Sequence, residues 1–181
     1  KVGEDVIMKF WDKYIKGGKM KLVPTTYYPP VENNSFYVKQ DESLPKCILC
    51  DIDGTIAKMN GKRGPFEWHN VGRDDVNKPV HDLLNTIEFA NMYLDEYGND
   101  EEHIKIIFFS GRDGICRDET IKWFKDKTDF KVEYGDNLFM RAPNDIRKDS
   151  IVKDELYEEH IKGKYNVQFV LDDRDQVVKH W

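Results

Sequence analysis

The chain has 181 residues, enough for one good core with a short appendage. Its apolar content of 39% and aromatic content of 13% fit a globular fold, and its net charge of −6 excludes a surface that attracts polyanions everywhere. Any nucleic-acid contact must therefore be local, no apolar run reaches membrane-spanning length, and no signal-peptide pattern opens the chain.

Residues 4–16 place Val6, Ile7, Phe10, Trp11, Tyr14 and Ile15 at helical spacing, and Gly17-Gly18 ends that helix. Residues 19–45 carry Pro24, Pro29, Pro30 and Pro45 and read as irregular chain or a linker. From Lys46 the pattern alternates. Strands are predicted over 46–50, 104–109, 138–141 and 166–171, and helices over 78–97, 118–127, 149–161 and 174–180. That order predicts an α/β fold, a Rossmann-like parallel sheet with helices on both faces, which binds ligands beyond the carboxyl ends of its strands.

Cys47 and Cys50 lie in the first strand, three residues apart, so they point to opposite faces and are badly placed for a disulfide or a shared metal. They read as two small buried residues, and such sparse cysteine usage favours a reducing, intracellular compartment.

The strand ends carry the chemistry. Asp51-Ile-Asp53-Gly-Thr55 follows the first strand, Ser110-Gly111-Arg112 the second, and Asp172-Asp173-Arg174 the last, while Lys148 sits just before the helix that precedes the last strand. Asp51, first off its strand, is the candidate nucleophile, forming an aspartyl-phosphate as an alcohol leaves. Asp53 would protonate the leaving oxygen and then deprotonate the attacking water. Asp172 and Asp173 add negative charge to the same edge and would repel a phosphate unless Mg²⁺ sat among Asp51, Asp53, Asp172 and Asp173. Ser110, the Gly111 amide and Lys148 would hold phosphoryl oxygens in the transition state. A plainer reading of Asp172-Asp173-Arg174 is a helix cap with a dipole-favourable first turn, and both readings can hold together.

Jointly, these stretches resemble the four motifs of the haloacid dehalogenase superfamily of phosphatases. Arg63-Gly-Pro-Phe66 and Asp145-Ile-Arg147-Lys148-Asp149 make the chain similar, more narrowly, to the 3′-phosphatase domain of bacteriophage polynucleotide kinase-phosphatases over residues 45–181. The resemblance implies Mg²⁺-dependent removal of a 3′-phosphate, or a 2′,3′-cyclic phosphate, from DNA or RNA ends. Thr55, Arg63 and Arg112 join Ser110, Gly111 and Lys148 as candidate phosphate-binding residues. Residues 1–44 are expected to be an N-terminal helix and linker, the tail of a preceding kinase domain; the chain opens on Lys1 and carries no phosphate-loop motif of its own.

Only residues 56–77 separate the first motif from the next helix, too few for a large cap domain, so an open site for a polymer end is favoured. This segment holds Lys58, Lys62, Arg63, Phe66, Trp68, His69 and Arg73, which could grip a backbone and stack a terminal base. Alternatively, Phe66 and Trp68 simply cover the edge of the core. The competing functions are a nucleotidase or other small-molecule phosphatase and, in another class, a non-catalytic module that binds phosphorylated ends.

Overall fold

The chain divides into two units at Lys39/Gln40. In this computed structural model residues 40–98 and 102–178 are described. The helix expected over 4–16, most of the linker and the last residues of the 174–180 helix lie outside them.

The elements run β1 (Lys46–Asp51), β2 (Ala57–Lys58), β3 (Asp75–Val76), α1 (Lys78–Glu96), β4 (Ile104–Ser110), α2 (Arg117–Lys127), β5 (Leu138–Met140), α3 (Asp149–His160), β6 (Asn166–Leu171) and α4 (Asp175–Val178). The main sheet has the order β5-β4-β1-β6, with every pair parallel. Residues 56–77 fold into the antiparallel β2–β3 ribbon and a single 3₁₀ segment, Trp68–Arg73.

Alternation along the strands builds two cores. Ile48, Cys50, Ile106 and Phe108 face one side, where Leu84 of α1 and Trp123 and Phe124 of α2 cover them. Cys47, Leu49, Ile107 and Phe109 face the other, against Leu156 and Tyr157 of α3. Both thiols of β1 are thus fully buried, on opposite faces, as their spacing predicts. The Phe108 ring lies tilted against Phe124 with centroids 4.5 Å apart, and each such buried side chain contributes about 1.5–3 kcal/mol.

Chain order places the site. After β1 the chain moves outward through β4 to β5, then returns on the other face through α3 to β6 on the far side of β1. The direction of winding reverses between β1 and β6, and ligands in open parallel sheets collect at such a reversal. Asp51 ends β1 and Asp172 follows β6, so both acids stand at that crevice.

Candidate active site

After Asp51 the chain turns back at once, with Gly54 N donating to Ala57 O (2.8 Å) and Ala57 N to Ile52 O (2.8 Å). Gly54 takes φ +89°, and a Cβ there would lie 2.0 Å from Asp173 Oδ2. The carboxylate from the β6 loop therefore rests in the space a side chain would fill. A second socket repeats this device, since a Cβ on Gly111 would lie 1.6 Å from Asp149 Oδ1. Two glycines at two strand ends each seat an acid delivered by a different segment.

Lys153 is the hub of the crevice. Its ammonium, buried on the inner face of α3, donates to Asp51 Oδ1 and Asp172 Oδ2 at 2.6 Å each and stands 3.6 Å from Asp149 Oδ2. Asp149 also accepts from Arg141 Nη2 (3.3 Å) and Arg174 Nη1 (3.1 Å). Burial pushes the Asp51 carboxyl up to about 7; Lys153 opposes the rise, while Asp172 and Asp53 add to it. Burial and Asp172 likewise raise Asp173. Lys153 itself is raised, because its carboxylate partners outweigh the burial that would lower it.

Asp53 has the opposite environment. Its Oδ1 accepts from Arg63 Nη2 (2.6 Å) and Arg112 Nη2 (2.8 Å). The same guanidiniums clamp buried Asp74, through Arg63 Nε to Oδ1 (2.8 Å), Arg63 Nη2 to Oδ2 (2.8 Å) and Arg112 Nη2 to Oδ2 (2.7 Å). Two acids and two arginines thus balance in a closed network, which Thr120 Oγ1 extends by accepting from Arg112 Nη1 (3.2 Å). Burial would raise Asp53, but Arg112 and Arg63 overcome it and hold the carboxyl below its ordinary value.

Asp51, Asp53, Ser110, Gly111, Arg112, Asp172 and Asp173 therefore gather at one sheet edge. Ser110 is buried at the end of β4, its Oγ accepting from Arg112 N (3.1 Å). Thr55 is buried nearby, its hydroxyl 3.5 Å from Asp51 Oδ2. Arg63 and Arg112, the other candidate phosphate-binding residues, point their guanidiniums at Asp53 and Asp74 at the wall of the same crevice. Lys148 is corrected to Lys153: Lys148 is exposed as the N-cap residue of α3, and its side chain makes none of the crevice contacts. Lys153 follows Asp149 by four residues, so both project from one face of the helix toward the strand ends. That i, i+4 Asp/Lys pair was the available signal. Asp74, Asp149 and Arg141 were also missed; nothing in Arg73-Asp-Asp75 separates a buried acid from a surface turn.

Asp51, Asp172 and Asp173 each offer an oxygen, all within 4.8 Å of one another. Three carboxylates converge here on the single ammonium of Lys153, and their hard oxygen donors suit a small divalent cation. A cleft of about 320 Å³ opens onto Asp51 and Asp53. A larger groove of about 880 Å³ lies at the amino ends of the strands, lined by Lys46, Lys105 and Tyr165, and contains none of these acids. Chemistry, not size, picks the site.

A parallel sheet whose first strand ends in this Asp-x-Asp, with a lysine and two further acids closing the crevice, is of the haloacid dehalogenase phosphatase type. The profile of the polynucleotide kinase PNKP phosphatase domain matches residues 45–181, and the chain belongs to that family. A relative from Autographa californica nuclear polyhedrosis virus, provisionally described as a bifunctional polynucleotide kinase/RNA ligase, is 33% identical over 175 residues, covering 93% of this chain and 23% of its own length. Among solved structures, a Pnkp1/Rnl/Hen1 complex contains a chain with TM-score 0.67 and 34% identity, over 94% of this chain and 55% of that one. A Pnkp1/Rnl/Hen1 RNA repair complex gives TM-score 0.66 and 33% identity, over 100% and 53%. The chain thus spans about a quarter of the viral relative and about half of the structural ones.

Proposed function

We propose that the chain is a Mg²⁺-dependent polynucleotide 3′-phosphatase acting in nucleic-acid end healing, as part of a longer protein with a kinase domain upstream. The observation that carries this reading is geometric: Asp51, Asp172 and Asp173 each offer an oxygen within 4.8 Å of one another, Lys153 donates to Asp51 and Asp172, and Asp53 lines the same cleft as Asp51. Asp51 attacks phosphorus, the bond from phosphorus to the 3′ oxygen breaks, and that oxygen leaves with a proton delivered through Asp53. Water then attacks the aspartyl-phosphate and yields a proton to Asp53, which passes it to the departing phosphate, so that Asp51 and Asp53 both return to carboxylates.

Asp53 is a carboxylate at rest, so the first proton must arrive with the substrate, as a phosphate monoanion. Lys153 holds Asp51 oriented and neutralises charge between the phosphoryl group and Asp172. Asp51, Asp172 and Asp173 would hold Mg²⁺ as oxygen ligands. Bound there, the ion would supply Lewis-acid charge that offsets the carboxylates and lets a phosphate enter.

The test is phosphate release from matched DNA and RNA oligonucleotides carrying 3′-phosphates, compared with free nucleotide 3′-monophosphate, with Asp51→Asn as control. The expected result is Mg²⁺-dependent turnover favouring the polymer ends, abolished by Asp51→Asn. Preference for the mononucleotide would make the chain a nucleotidase, and tight binding without turnover would make it an end-binding module.

A further inference from the structure

We propose that Phe66 and Ile146 form a sequence-tolerant apolar contact for the base of the terminal nucleotide; the inference rests on the polynucleotide 3′-phosphatase reading. Both side chains line the cleft that holds Asp51 and Asp53, and they come from separate segments. Phe66 is 81% exposed and Ile146 is 97% exposed. Single exposed apolar residues are common on protein surfaces, so exposure alone says nothing. What distinguishes this pair is that each sits on a braced loop beside the reacting groups.

The Phe66 loop is tied to the buried network. Arg63 Nη1 donates to the carbonyls of Gly64 (3.2 Å) and Pro65 (3.4 Å), and Glu67 Oε2 accepts from Gly64 N (2.9 Å). The Phe66 ring meets Trp68 edge-on at 6.0 Å, and the Arg63 guanidinium lies 6.0 Å from the Trp68 ring. The backbone that carries Phe66 is thus held by the same arginine that holds Asp53.

The Ile146 loop is braced from both sides. Arg141 Nη1 donates to the carbonyls of Asp145 (3.0 Å) and Arg147 (2.5 Å). Arg147 donates Nε and Nη2 to Asp145, and Nη1 and Nη2 to Glu155 (2.6 and 2.7 Å). That guanidinium is spent on carboxylates, so it holds the loop and does not compete for a phosphate. Holding an isoleucine rigidly in water gains the fold nothing. Holding it in place for a flat apolar ligand cuts the ordering loss on binding.

The occupant follows from the neighbours. The cleft volume of about 320 Å³ is at the small end of the ligand range, room for one nucleotide and not several. With the phosphate at Asp51, the group one sugar away is a base, whose π-face is common to every sequence. The remaining strand must leave along the rim.

The experiment uses two oligonucleotides ending in a 3′-phosphate, identical except that one is abasic at its last residue. Wild type should show a KM about tenfold or more higher on the abasic end, the range that loss of base stacking produces. Phe66→Ala and Ile146→Ser should each shrink that difference, and together bring it within about twofold. Equal KM values for wild type on the two ends, or variants that keep the full difference, would overturn the base contact while leaving the 3′-phosphatase reading intact. Absence of wild-type turnover on both ends would overturn that reading and this contact with it.

Discussion

Replacing Asp74 by asparagine swaps one carboxylate oxygen for an NH₂ group in a buried network and isolates its energetics. The carboxylate takes three charge-assisted hydrogen bonds of 2.7–2.8 Å from Arg63 and Arg112. If the asparagine oxygen takes the Oδ2 position and keeps two of them, the new amide group faces Arg63 Nε, donor against donor. One charged hydrogen bond, about 1.5–3 kcal/mol, is lost outright. Two guanidiniums then share Asp53 alone, leaving one buried positive charge uncompensated. Breaking one partner out of a buried ion pair costs about 3–5 kcal/mol, a large part of the roughly 5–15 kcal/mol that holds a domain together. Urea unfolding at neutral pH measures the loss. The double variant Arg63→Met/Asp74→Asn restores charge balance through Arg112 and Asp53, so it should recover at least about 1 kcal/mol relative to Asp74→Asn alone. A single variant within about 1 kcal/mol of wild type, or strictly additive variants, would refute the network as drawn.

Three further outcomes are expected. Lys153→Met should lower phosphate release at least about a hundredfold, whereas Lys148→Met should stay within about 0.5 kcal/mol of wild-type stability; steady-state kinetics and thermal melts read the contrast. Because Asp53 is ionised at rest, the productive substrate is the monoanion, whose remaining proton leaves near pH 6, while Asp51, raised to about 7, must lose its own proton to attack; kcat/KM should therefore rise to about pH 6, level off to about pH 7 and fall about tenfold per unit above it, and a flat profile from about pH 7 to 9 would exclude the proton route. Gly54→Ala must strain a positive φ and push Asp173 aside, so the rise in Tm that Mg²⁺ gives wild type should largely disappear, as differential scanning calorimetry would report.

The alternation of apolar strands with helical spacing made the sheet legible from Lys46 onward. Predicted strands 104–109 and 166–171 appear as Ile104–Ser110 and Asn166–Leu171, and helices 78–97 and 149–161 as Lys78–Glu96 and Asp149–His160. The β2–β3 ribbon was not legible, because two residues per strand leave no period to read. Acids directly after strands were legible, since strand ends share one edge by topology. The cations were not. Whether Arg63 meets a ligand or Asp74 depends on a partner eleven positions away, and whether Lys148 or Lys153 enters the crevice depends on the phase of α3.

The two thiols of β1 give the protein a built-in clock. Burial pushes Cys47 up to about 12 and raises Cys50 too, so neither forms a reactive thiolate while the sheet is closed. Any alkylating reagent must wait until the helical layer over each sulfur lifts from the sheet, α3 for Cys47 and α1 with α2 for Cys50. The labelling rates at the two sulfurs therefore count openings of the two cores, one face each, with no engineered probe.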